Sequence, residues 1–106
     1  MTTSEKQNLM YNLFGVMASK GIFRNQHDMT AKLKGVCKAL TTVHGLTENE
    51  SEECLLYFFR EYAKGCSVPI TDTMIRSQFI PTVKNYPSMS KDDLLWGASM
   101  IIACKG

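Results

Sequence analysis

The chain is poor in the features that most often betray an activity. It has a single tryptophan, three prolines and seven glycines, and the glycines are dispersed, so no glycine-rich phosphate loop is present. Neither a GxSxG elbow nor a cysteine-protease signature surrounds any serine or cysteine, which removes the familiar nucleophile settings. The four cysteines, Cys37, Cys54, Cys66 and Cys104, lie 17, 12 and 38 residues apart, without the CxxC or Cys/His spacing of a zinc site. No apolar run approaches the roughly 20 residues that span a bilayer. Alternating strand patterns, repeats and low-complexity tracts are also missing. A non-enzymatic reading with no catalytic residues, no metal and no cofactor follows as an expectation.

What is present is an ordinary globular composition, 44% hydrophobic and 21% charged. At 106 residues there is room for one core, so residues 1–106 read as a single domain. The net charge of +2 is too small to argue for a nucleic-acid partner. Residues 1–46 carry six basic against two acidic side chains, and the remainder six against eight. The opening Met-Thr-Thr-Ser-Glu-Lys is polar and has no signal-peptide form, which points to the cytoplasm, or to the periplasm if a leader preceded Met1. In that setting free buried thiols are favoured over the three disulfide pairings that four cysteines allow.

Five amphipathic helices are predicted, an all-α bundle or orthogonal array. The first begins near Thr3 or Ser4, with Thr2 and Glu5 in capping-box form, buries Leu9, Met10, Leu13, Phe14 and Met17, and stops at Gly21. For the second, Asp28 is the expected N-cap, Met29, Leu33, Val36, Cys37, Leu40 and Val43 the inward stripe, and Gly45 the stop. Thr47-Glu48-Asn49-Glu50 is a capping box opening a third helix that is apolar nearly all round, hence central. A fourth starts at Thr71 or Asp72 and meets Pro81, where a kink or short break is expected. The last is capped by Ser88 or Ser90 and turns Leu94, Leu95, Ala98, Ile101 and Ile102 inward.

Candidate interaction residues are few. Glu48, Glu50, Glu52 and Glu53 put four carboxylates within six residues, a local field that would steer a basic partner, although a helix start also welcomes anions for its own dipole. Trp96 is either an edge of the core or an exposed anchor for another protein. Lys34 and Lys38 share a helix face with Lys32 nearby, a surface that could touch phosphate. His27 and His44 are the residues to inspect for acid–base work, and a pocket placing either beside a carboxylate would favour an enzyme. The seven methionines suit an adaptable surface or irregular gaps in a core.

The stretch Cys66-Ser67-Val68-Pro69, then Phe79-Ile80-Pro81-Thr82-Val83-Lys84-Asn85-Tyr86-Pro87, then Leu94-Leu95, Ala98 and Cys104, resembles the Rap/Tai-type immunity proteins of bacterial type VI secretion. It covers about the last 40 residues, and the chain departs from that family in opening without a signal peptide. In size and helical class the chain is also similar to cytosolic immunity proteins of contact-dependent growth inhibition. Both likenesses imply a non-catalytic bacterial protein that binds a cognate protein toxin and blocks it. On that reading Glu48, Glu50, Glu52, Glu53 and Trp96 are toxin-binding candidates, and against a nuclease, one possible toxin, the carboxylates would mimic or repel the phosphates it binds. A homo-oligomer is left open, a membrane partner is not expected, and the alternative is a small nucleic-acid-binding or regulatory module of phage or plasmid origin.

Overall fold

A computed structural model describes residues 2–19, 23–65, 69–86 and 91–105. Among the described residues five helical stretches and no strand form: α1 (residues 3–19), α2 (Gln26–His44), α3 (Glu48–Ala63), α4 (residues 72–84) and α5 (Lys91–Lys105). The all-α single-domain fold is therefore as the sequence implies.

Local chemistry sets most boundaries. Thr2 opens α1, its hydroxyl accepting the Glu5 N–H at 3.1 Å. Thr47 and Glu50 close a full capping box on α3, with the Thr47 N–H donating to the Glu50 carboxylate at 3.0 Å and the Glu50 N–H to the Thr47 hydroxyl at 3.2 Å. Gly45 ends α2 at φ +65°, a conformation that glycine adopts without the penalty a Cβ brings. The expected stop at Gly21 and the caps at Ser88 or Ser90 lie outside the described residues.

One boundary and two faces differ from expectation, and the choice left open at Pro81 is narrowed. The N-cap of α2 is Asn25, whose side chain accepts the Asp28 N–H at 2.8 Å, while Asp28 accepts the Arg24 N–H at 3.1 Å. The helix thus starts before Asp28, because Asn25 and Asp28 brace the turn reciprocally. Pro81 does not break α4. The turn just upstream, Ile75–Phe79, widens to π geometry and the Ile80 N–H donates five residues back to Ile75, which makes room for a ring that crowds an ordinary turn. Finally, Val43 is 70% exposed and Leu95 55% exposed, although both were expected to face inward.

The outward Leu95 follows from how α5 meets α2. Gly97 is buried against the α2 backbone, and a Cβ there would stand 2.8 Å from the Val36 nitrogen and 2.9 Å from the Gly35 carbonyl carbon and oxygen. Close backbone approach selects the smallest residue for the inward position, so size outranks hydropathy and rotates Leu95 to solvent. Leu94, Ile101 and Ile102 lie outside the described side chains.

The core is one cluster. Leu13, Phe14 and Met17 of α1, Leu33, Val36 and Leu40 of α2, Cys54, Leu55 and Phe58 of α3, and Ile75 of α4 are essentially inaccessible. Helix α3 packs on α1, α2 and α4, which accounts for its nearly uniform apolarity. The Phe58 ring meets Phe23 and Phe59 edge-on at 6.0 and 5.1 Å and stacks on Tyr62 at 6.0 Å. Among the described residues no helix is long and apolar enough to cross a membrane.

Gly97→Ala is expected to lower unfolding free energy by about 1–3 kcal/mol, the usual cost of forcing extra volume into a tight contact. Gly65→Ala, whose Cβ would meet only the Tyr62 carbonyl at an ordinary 3.7 Å, should change it by less than about 0.5 kcal/mol. Urea denaturation of the two variants checks the contrast.

Candidate interaction surfaces

The four clustered glutamates form one edge at the start of α3, but none stands as a bare charge. Lys84, at the end of α4, reaches Glu48 at 2.9 Å and also holds Glu52. Lys6, from the first turns of α1, pairs with Glu53 at 2.7 Å. Glu50 is engaged in the capping box. These bonds fix the carboxylates in space, and Glu48 and Glu53 still present 80% and 54% of their side chains to solvent. The hydrogen bond from Lys84 holds the Glu48 carboxyl below its ordinary value, and the Thr47 N–H does the same for Glu50. Glu52 first and Glu48 second raise the Lys84 ammonium.

Trp96 belongs to a different cluster. It is half-buried, its ring tilted against Phe23 at 6.3 Å with the Lys32 ammonium 5.2 Å from the ring centroid. It forms an edge of the core with one face covered by a cation, worth about 0.5–1 kcal/mol at an exposed site. Lys32 also pairs with Asp28 at 3.1 Å. Lys34 turns inward instead of joining a basic surface: its ammonium donates to the backbone carbonyls of Lys84 at 3.1 Å and Tyr86 at 2.6 Å, capping α4. Of the three lysines on this helix, Lys38 is the exposed one.

His27 lies in a polar pocket of about 380 Å³ with Arg24, Asp28, Tyr86 and Asp93, and the Tyr86 hydroxyl is 2.8 Å from its Nδ1. The pair could pass a proton between phenol and imidazole. Asp28 is taken by the Arg24 N–H and Lys32, which together hold its carboxyl below the ordinary range, so it braces the helix start; Asp93 is the second carboxylate lining the pocket with His27. Among the described residues no group of three or more His, Cys, Asp or Glu is placed to hold a metal.

Cys37 and Cys54 are free thiols. Burial pushes Cys37 up to about 11, partly opposed by a hydrogen bond with Ser51, and pushes Cys54 up to about 12. Both are packing groups, far from the thiolate form that nucleophilic chemistry needs.

Sequence reasoning missed a cleft of about 710 Å³ walled by α2, the end of α3 and α4. Its signal was a repeated Gln-x-x-x-Thr, Gln26/Thr30 on α2 and Gln78/Thr82 on α4, which puts the same pair on both lips. No protein-family model matches the chain, and neither a curated protein nor a solved structure matches it significantly.

Two outcomes follow. Because both folded thiols titrate above their ordinary value of 9.0, they contribute stability that is complete below about pH 9 and is lost as the pH rises towards 11–12. Urea midpoints should therefore fall between pH 8 and 10.5, and peptide-resolved mass spectrometry should find Cys37 and Cys54 protected from iodoacetamide at pH 8 until denaturant is added. Separately, Lys84→Met should return the Glu48 carboxyl towards its ordinary titration range, read from carboxyl carbon shifts in an NMR titration.

Proposed function

We propose that this chain is a non-catalytic binding protein of the toxin-immunity kind, which neutralises a cognate bacterial toxin domain by covering a basic surface on it. The observation that carries the reading is the held acidic edge. Four carboxylates stand on one helix start, two of them project far into solvent, and Lys84, Lys6 and the cap fix their positions. Charges held in place before encounter lose less side-chain freedom on binding, and a local negative field speeds and orients approach to a basic partner. A nuclease offers such a partner, since its substrate surface is built to accept phosphates. The two lysines offset part of the negative charge, so specificity would come from the spacing of Glu48 and Glu53 as much as from net charge.

The test uses the product of the adjoining upstream reading frame. Wild-type chain should bind it and protect cells that express it, with affinity falling as salt rises. Glu48→Gln combined with Glu53→Gln should weaken binding by about tenfold, chiefly through the association rate. Unchanged affinity in the double variant removes the acidic edge from the interface, and absence of binding by the wild type removes the immunity reading itself.

A further inference from the structure

The cleft between α2, α3 and α4 lies at the end of α3 away from the acidic edge, and its chemistry is of another kind. Its floor is apolar and buried, made by Met29, Phe59 and Val83. Tyr62, Ile70, Met74 and Phe79 rise around it half-buried, so four large side chains converge on a space that no part of the described chain fills. Leaving such surface against water is unfavourable and marks a binding groove more often than an accident of packing.

The lips are polar but uncharged. On α2 the Thr30 hydroxyl donates to the Gln26 carbonyl at 2.8 Å, and on α4 the Thr82 hydroxyl donates to the Gln78 carbonyl at 2.6 Å. Both threonines are thereby locked, with only acceptor capacity left, while the exposed Gln26 and Gln78 amides each offer donors and an acceptor. In a chain that is 21% charged, none of the dozen lining residues is Asp, Glu, Lys, Arg or His. A charged group entering here would leave water without a counter-charge, which is unfavourable. Alcohols, amides and esters would find partners at the lips.

Size separates the classes of occupant. A volume of about 710 Å³ falls within the ~300–1,000 Å³ of small-molecule sites. A standard protein interface uses roughly 20–30 residues a side, about twice what surrounds this cleft. We propose that the cleft is a binding site for a small uncharged amphiphile, with its apolar body against Phe59, Met29 and Met74 and a neutral hydrogen-bonding group between Gln26 and Gln78. The site is independent of the acidic edge, so either assignment can fail without the other.

The full chain is titrated with the neutral dye 1-N-phenylnaphthylamine, then competed with decan-1-ol, decanoate or decylammonium below their aggregation concentrations. Saturable dye binding is expected, with decan-1-ol displacing it at a concentration at least tenfold lower than either ion. In the chain labelled at its methionine methyls, decan-1-ol should shift Met29 and Met74 and leave Met10 unmoved. Met74→Trp fills the space and should abolish dye binding. Gln78→Glu, at an exposed position that leaves the fold undisturbed, should weaken decan-1-ol competition at least fivefold and favour decylammonium. The proposal is overturned by non-saturable dye binding, by equal displacement with the ions, by shifts at Met10 in place of Met29 and Met74, or by a dimer in sedimentation that excludes the dye.

Discussion

Burial of Phe58 is the constraint around which the other helices are arranged. Its ring contacts Phe23, Phe59 and Tyr62, and the contacts continue from Phe59 to Phe79 on α4 at 5.3 Å and from Phe23 to Trp96 on α5. One side chain of α3 therefore connects, through one intermediary each, to two helices that follow it in sequence. Rings of this kind bury about 150–250 Å² apiece, and their edge-on geometry adds direction to what would otherwise be undirected burial. The acidic edge and the cleft occupy the two ends of the same helix because its middle is committed to the core.

Polar clamps outside that core complete the arrangement. Lys34 holds the carbonyls at the end of α4, and Lys84 from that same end holds Glu48 and Glu52 at the start of α3. Three helices are thus tied at one corner by two lysines, Lys34 satisfying carbonyls that a helix terminus leaves open and Lys84 pairing with carboxylates. This explains why a basic second helix presents little basic surface: Lys32 and Lys34 face protein acceptors. It also explains why four adjacent glutamates coexist, since two ammonium groups from elsewhere in the chain lower their mutual repulsion.

Features written within a few residues were legible in the sequence, and those assembled across helices were not. The Thr47 capping box, the Gly45 stop and the central character of α3 follow from short-range chemistry. The Asn25 cap was equally local, but Asp28 is also a capping residue type and was read as the cap; the bond from the Asp28 N–H to the Asn25 side chain makes Asn25 the cap. Leu95 was misread because periodicity assigns faces by hydropathy, whereas a close helix crossing assigns them by size. The acidic residues could be read directly, but Lys6 and Lys84 lie 47 and 32–36 residues from the glutamates they hold. The cleft needs three helices to exist, so its lips appeared in the sequence as two unremarked Gln-x-x-x-Thr spacings.

The seat of Gly97 on Gly35 and Val36 has a bearing on descent. Drift at most surface positions erases likeness without harming the fold, but at this crossing nearly every substitution adds atoms where backbone already stands. Selection would hold residue 97 small long after the rest of the chain had diverged. A glycine in the middle of the last helix, followed by the partly buried Ala98 and facing a buried stretch of the second helix, is therefore the pattern by which distant homologues would be known.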